Sequence, residues 1–357
     1  MAELLRTITH ISRRSSLSER STKRTDSIVE REHKALAELR ELCRKNDVSW
    51  PKSELVADDD DAVKNDGNED SNLLRYLRAR KYDVPAAFKQ YAASAKWRHE
   101  IQLEKTYDDV DITKFETIRR LQPQWTGRRD DTGVPIMVYV VAQVKPEDIL
   151  ALHKMDPSLS SVFLAAEYVT QFVQPLCGKL QRRRTTRSIN IIDLSHVGIP
   201  TFWRLRRLLN AASTMATAHY PETVKRIYVV GAPPFFPQIW KFITLWFEKE
   251  TTRKIFVLGH HESADVLRRD LGAENVPKRF GGDLDWEFGA FPKLRPEDRE
   301  VFHSASGDEK DDSGDGSKTS LFTKWVEGPL RLLEGREGRA RIVAVGSRDG
   351  VLRREEV

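Results

Sequence analysis

Four almost continuously apolar runs alternate with helical stretches along the middle of this chain, and that alternation limits its fold more than any other feature. Ile136-Met137-Val138-Tyr139-Val140-Val141 has the composition of a strand buried on both faces. Similar runs recur at Ser188–Leu194, Arg226–Val230 and Lys254–Leu258. Between them, Leu159–Val173, Thr201–Thr217 and Phe236–Glu248 read as helices. Strands separated by helices predict an α/β domain with a mostly parallel sheet and helices packed on it.

The first hundred residues are helical in pattern. Leu36, Leu39, Leu42 and Cys43 give residues 26–46 one apolar face. Ser71 is placed to cap a helix running through Leu73, Leu74, Leu77 and Arg80. Val84–Ile101 comes next, with Ala87, Phe88, Tyr91, Ala95 and Trp97 as its apolar positions. Between the first two lies an acidic loop, 57–70, with seven acids and one lysine. A block of like charges stays solvated, and it lacks the alternation of a calcium loop. Residues 1–27 read as a basic disordered tail, with a mitochondrial transit peptide as the alternative. Ser304–Ser320 holds eight Gly/Ser and five acids and reads as a linker. The organisation expected is therefore a tail at 1–27, a small helical domain at 28–105, an α/β domain at 106–293 and a largely disordered tail at 294–357. Residues 321–357 have apolar positions enough for one docked helix.

Several functions are excluded by what is missing. No apolar run approaches the ~20 residues that span a bilayer. Two cysteines, Cys43 and Cys177, cannot build a thiolate zinc site and point to a reducing compartment such as the cytosol. The net charge of +5 is too small for a dedicated nucleic-acid binder but suits an anionic membrane surface. No G-x-G-x-x-G, G-x-S-x-G, H-E-x-x-H or P-loop stands in the required context, so neither enzyme, metal nor cofactor is expected.

Six motifs occur in order. Leu73-Leu74-Arg75-Tyr76-Leu77-Arg78-Ala79-Arg80-Lys81-Tyr82-Asp83-Val84 comes first, then Lys96-Trp97-Arg98, Ile191-Ile192-Asp193-Leu194 and Tyr220-Pro221-Glu222. Lys254-Ile255-Phe256-Val257-Leu258 and Val276-Pro277 with Phe280-Gly281-Gly282 complete the series. Over roughly residues 34–293 the chain resembles the CRAL-TRIO lipid-binding family, in its secretory phosphatidylinositol-transfer branch. The resemblance implies a helical N-terminal domain before an α/β domain whose apolar cavity holds one lipid.

It also implies the site. The positions that bind the phosphatidylinositol headgroup in that branch are Arg80, Lys81, Glu222, Thr251 and Lys254 here. Cations suit the phosphodiester, and Glu222 suits the inositol hydroxyls. The pocket for a second ligand, phosphatidylcholine in some members, falls on Met137, Ala166, Ser188 and Asn190. Met137, Ala166 and Thr126 replace tyrosines, and Asn190 replaces a threonine. Losing aromatic faces removes cation–π contacts to choline and favours a sterol-like or other apolar ligand. Ile239, Trp240, Phe242, Ile243, Trp246 and Phe247 fall on the branch's gate helix. By the same resemblance the chain is expected to be a monomeric, cytoplasmic exchanger that visits Golgi, endosomal or endoplasmic-reticulum membranes. It would supply a phosphoinositide kinase in support of vesicle trafficking. A non-transferring lipid sensor or scaffold is the alternative.

Overall fold

The computed structural model describes residues 29–53, 66–155, 160–246, 249–298, 325–334 and 340–357. The tail at 1–27, most of the acidic block, the linker at 304–320 and Phe247 lie outside them. The chain divides into two compact units, one built from residues up to Trp50 with Asp66–Ala95, the other from Pro51–Asn65 with Lys96–Val357.

The first unit is helical. Helix α1 (residues 29–45) buries Ala35, Leu36, Leu39 and Cys43, and α2 (Asp66–Ala79) buries Leu73, Tyr76 and Leu77. Both sets recur at three- and four-residue spacing, so each helix presents one apolar stripe. The first turns of α3 (Val84–Glu100) add Val84, Ala87 and Tyr91. Trp50, Tyr76 and Tyr91 form an aromatic trio with centroids 5.2–6.1 Å apart. Helix α2 starts five residues before the expected cap, so Ser71 lies inside it and residues 66–70 belong to the helix rather than to an acidic loop. Asp70 accounts for part of this, because its carboxylate accepts from Arg40 Nε on α1 at 2.8 Å.

The second unit holds a five-stranded sheet, ordered β1 (Gln124–Arg129), β2 (Pro135–Val140), β3 (Ser188–Asp193), β4 (Val224–Val230) and β5 (Ile255–Val257). Strands β2 to β5 run parallel, and β1 joins β2 as an antiparallel hairpin. Between β2 and β3 lie α6 (Pro146–Met155), α7 (Ser160–Tyr168) and α8 (Gln174–Leu180), of which only α7 falls on an expected helix; α9 (Ile199–His219), on the expected run 201–217, joins β3 to β4. Helices α10 (Phe236–Ile243) and α11 (Lys249–Thr252) join β4 to β5, and α12 (Ser263–Leu271) covers one sheet face. Ahead of the sheet come α4 (Leu103–Asp109) and α5 (Ile112–Arg120).

Helices α7 and α8 are joined by a π turn at Val169–Val173, where the Gln174 N–H reaches back five residues to the Val169 carbonyl. Pro175 explains it, since a proline has no N–H to give and its ring crowds the carbonyl four residues before.

The C-terminal expectation is corrected within the described residues. β6 (Leu330–Glu334), β7 (Ala340–Ala344) and β10 (Glu355–Glu356) form an antiparallel sheet, and β8 (Ser347–Arg348) pairs with β9 (Val351–Leu352). Leu330, Ile342, Ala344 and Val345 are buried in one cluster with Phe115, Phe163 and Phe172. Trp325 lies 6.2 Å from Phe172 and 6.3 Å from Trp125 between ring centroids. Short strands interrupted by Arg331 and Arg341 do not read as apolar runs, yet these cations have acidic partners in Glu104, Asp108 and Glu356.

The Phe280-Gly281-Gly282 motif has a packing cause. A Cβ on Gly282 would stand 2.0 Å from the Val276 carbonyl oxygen and 2.5 Å from its Cβ, and Val276 is fully buried. Gly282→Ala is therefore expected to destabilise the second unit by about 3 kcal/mol. Urea unfolding checks this; a loss below about 0.5 kcal/mol, the scale of an ordinary surface change, would contradict it.

Candidate functional site

The two faces of the sheet are covered unequally. Ile136, Val138, Ile189, Ile191, Tyr228 and Val230 point to one face and are buried against Leu258, Leu267, Leu271 and Val276. On the opposite face, Met137, Asn190, Ile227 and Ile255 lie side by side in register, and Ile192, Val229 and Val257 form the next row. There Asn190, Ile192, Ile227 and Ile255 are only half-buried, and Val257 is exposed. Strands β3 and β4 are central, and a parallel sheet normally buries both faces of such strands. An apolar area in the middle of this sheet is thus left open.

The proposed second-ligand residues flank it. Met137 is buried in the cluster that contains Phe163 and Tyr168, and Ala166 packs against the same cluster. The Asn190 amide donates to Ser188 Oγ at 3.3 Å, and Ser188 Oγ donates to the Thr223 carbonyl at 3.3 Å. Thr126 is fully buried, its hydroxyl donating to the Ile136 carbonyl.

At the edge of this area, where β4 and β5 begin, stands a half-buried ion pair. Lys254 Nζ donates to Glu222 Oε2 at 3.0 Å. Lys254 immediately precedes β5, and its carbonyl accepts from Ile227 N–H at 2.8 Å. Its own N–H closes a turn on the Thr251 carbonyl at 3.0 Å, so Thr251 shapes the approach of the chain to Lys254. Sequence reasoning missed Arg187, whose Nη2 lies 3.7 Å from the same Glu222 oxygen. The only signal was the basic run Arg182-Arg183-Arg184 that precedes it. Glu222 has φ 56°, a left-handed backbone that costs a glutamate energy and marks sites where the surroundings impose the geometry. Gly231 is also left-handed at φ 62°, and a Cβ there would stand 2.0 Å from Ser195 Oγ.

Arg80 and Lys81 belong to the first unit. Arg80 Nε donates to Gln90 Oε1 at 2.8 Å, and Lys81 is exposed. Lys81 and Tyr82 are both left-handed, at φ 52° and 66°. The corner is held by the Tyr82 hydroxyl, which donates to Glu32 at 2.6 Å, and by Arg78 on the same carboxylate. Burial opposes the charge on Glu32, but these two donors outweigh it and lower its pKa.

The helix on the expected gate positions is shorter than its apolar run. α10 ends at Ile243 and passes into a 3-10 turn, Thr244–Trp246, instead of continuing to Glu248. Phe236 and Ile239 are buried, Trp240 and Ile243 half-buried, while Phe242 is 51% and Leu245 80% exposed. Neighbouring Trp203 on α9 is 43% exposed and meets Phe242 edge-on at 6.1 Å. The helix is thus two-faced rather than buried all round.

Behind Glu222 lies a buried charge cluster. Arg98 donates to both Glu167 oxygens at 2.8 and 2.6 Å and also contacts Glu104. The Tyr220 hydroxyl donates to Glu167 Oε1 at 2.5 Å. Arg331 on β6 donates to Glu104 Oε2 at 2.9 Å and pairs with Asp108. Burial resists charging Glu167, but Arg98 prevails and holds its pKa at about 2. His219 stacks on Trp97 at 3.9 Å, and burial together with Arg98 pushes its pKa down to about 4. It is therefore neutral at physiological pH.

This architecture, an α/β unit with a mostly parallel sheet and an accompanying helical unit, has known counterparts. Residues 120–282 match the family described as CRAL/TRIO domain, and residues 35–93 match its N-terminal domain. Together these spans exceed half the chain, and the protein belongs to the CRAL/TRIO family. Its similar relatives include the SEC14 cytosolic factor of Kluyveromyces lactis, 27% identical over 61% of this chain and 72% of that one. The Sec14 cytosolic factor of Schizosaccharomyces pombe is 24% identical over 60% and 75%. A phosphatidylinositol/phosphatidylcholine transfer protein of Arabidopsis thaliana, SFH7, is 26% identical over 59% of this chain and 38% of its own. The crystal structure of Sfh5 superposes with a TM-score of 0.54 at 13% identity, over 77% of this chain and 96% of that one, and shows the shared fold. Lipid binding and transfer of the SEC14 type is thus the general function. No helix among the described residues is long and apolar enough to cross a membrane, and none of their His, Cys, Asp and Glu side chains cluster as a metal site.

Proposed function

We propose that this protein binds phosphatidylinositol and exchanges it between membranes without covalent chemistry. The supporting observation is the Glu222–Lys254 pair, with Arg187 beside it, at the rim of a half-open apolar sheet face. An amphiphile needs that juxtaposition: acyl chains along Ile192, Ile227 and Ile255, and an anionic, hydroxyl-rich head at the rim. Lys254 and Arg187 supply cations for the phosphate, and Glu222 accepts from ring hydroxyls. Thr251 fixes the Lys254 turn. Arg80 and Lys81, on the first unit, are assigned to the phosphate by resemblance. α10 acts as the gate, and anionic membrane surfaces are the docking partner. Delivery to a phosphoinositide kinase would couple exchange to phosphoinositide synthesis.

Mass spectrometry of co-purifying lipid tests this reading. The wild type is expected to carry phosphatidylinositol. Lys254→Ala and Arg80→Ala should each retain it about tenfold less, the scale of one charge-assisted hydrogen bond. A wild type loaded only with sterol or another neutral lipid would favour the apolar carrier, for which Met137 and Ala166 in the pocket speak.

A further inference from the structure

The C-terminal strands lie beyond the matched family span, yet one of their side chains enters the charge cluster behind Glu222. Arg331, Arg98, Glu104, Asp108 and Glu167 are all nearly inaccessible to solvent. Three carboxylates share two guanidiniums, so neither cation is spare. Glu104 is the shared member, one oxygen on Arg98 and the other on Arg331. Asp108 is further fixed by Ser53 Oγ at 2.5 Å, and the Arg331 guanidinium lies 5.1 Å from the centre of the Tyr107 ring.

The far end of the cluster is the Tyr220 hydroxyl on Glu167, two residues before Glu222. Arg98 Nη1 also reaches the Tyr220 hydroxyl at 3.4 Å, and the Tyr220 N–H donates to the Ala216 carbonyl at 2.8 Å. The Tyr220 ring stacks on Phe163 at 5.5 Å, Thr223 Oγ1 donates to the Tyr220 carbonyl at 2.9 Å, and Ser188 N–H donates to the Thr223 carbonyl at 2.8 Å. The left-handed turn at Glu222 must be imposed by such contacts, because a glutamate does not adopt it unaided.

We propose that Arg331 is a positioning residue for the headgroup site. By pairing with Asp108 and taking one oxygen of Glu104, it shares the charge of Glu104 with Arg98, which still meets Glu167 with both nitrogens. Glu167 then holds Tyr220, and Tyr220 holds the corner that aims Glu222 at Lys254. Without Arg331, Glu104 competes with Glu167 for Arg98, and the corner loosens. The C-terminal strands thus set headgroup selectivity from the far side of the core. This rests on the phosphatidylinositol reading.

The test compares the full-length wild type with Tyr220→Phe, Arg331→Lys, their combination, and Lys254→Ala. Three quantities are read: total lipid per protein, the phosphatidylinositol share of that lipid, and melting temperature. Tyr220→Phe and Arg331→Lys should each lower the phosphatidylinositol share at least threefold with total lipid unchanged, and the combination should add little, since both act on one chain of contacts. A purely structural role would instead lower total lipid and melting temperature together, with the share constant, and that result overturns the inference. If Arg331→Lys does not fold, Tyr220→Phe decides alone. A share lost in Lys254→Ala but kept in Tyr220→Phe overturns the inference and spares the headgroup reading. A share unchanged in Lys254→Ala overturns both.

Discussion

Replacing Arg98 by methionine is expected to destabilise the second unit by about 3–5 kcal/mol in urea unfolding at pH 7, the usual loss when one partner of a buried ion pair is removed. Arg98 is 2% exposed, and Glu167, its bidentate partner, is 0% exposed. Methionine fills similar volume, so the loss arises from the carboxylates left behind. The pH dependence separates this cause from simple misfit. In the wild type the Glu167 pKa is depressed to about 2, below its unfolded value near 4.5. Its contribution is therefore fully present above the unfolded value and is lost as pH falls through about 2. In Arg98→Met the hydrogen bonds from Tyr220 and Gln171 remain, but burial, the largest influence on Glu167, is no longer offset by a cation and raises the folded pKa above the unfolded one. The folded variant then binds the extra proton, and its stability should rise as pH falls from 7 toward 5. Adding Glu167→Gln should recover part of the loss at pH 7 and flatten that slope. A variant with wild-type stability, or with no change in slope, would contradict the assignment.

How much of the fold and site is legible in the sequence depends on whether burial left a trace in residue type. Strands β2 to β5 were legible because each carries a run of apolar, mostly β-branched residues, even where one face is partly open. β1 was not, because apart from Trp125 and Gly127 its buried residues are polar. Arg129 pairs with Asp298, and Thr126 and Gln124 spend their polar groups on the Ile136 carbonyl and the Gly289 N–H. The same camouflage hid the charge cluster. Arg98, Glu104, Glu167 and Arg331 look like surface residues in sequence and are separated by up to 233 positions (from 98 to 331). Glu222 and Lys254 could be named from their motifs, and they do form an ion pair. Arg187 could not, because a cation in a basic run carries no mark of the acid it faces. The early end of α10 was equally invisible, since an apolar run does not record where a helix tightens into a 3-10 turn.

Serine at Phe242 and Leu245 together is expected to weaken binding to phosphatidylserine-containing vesicles by about 10- to 100-fold while leaving the fold intact. Both side chains are already exposed, so little core is lost on truncation. Full burial of such a side chain contributes about 1.5–3 kcal/mol each, and an interfacial helix inserts it only in part. Trp203 extends the same apolar area, with its ring against Phe242 and the Arg206 guanidinium 5.0 Å from its centre. A tryptophan beside an arginine suits the headgroup region, where one end of the ring is dry and the other wet. Arg207 and Lys241 are exposed on the same two helices and should each add about 1 kcal/mol toward an anionic surface at low salt. Vesicle co-sedimentation with and without phosphatidylserine, across salt concentration, separates the two contributions. The serine variant should keep the salt dependence of the wild type but bind less at every concentration, because it loses apolar area and no charge. Arg207→Gln with Lys241→Gln should show the reverse, losing the salt dependence and most of the preference for phosphatidylserine. Unchanged vesicle binding in the serine variant would place docking elsewhere, and α10 would then gate the lipid without touching the membrane.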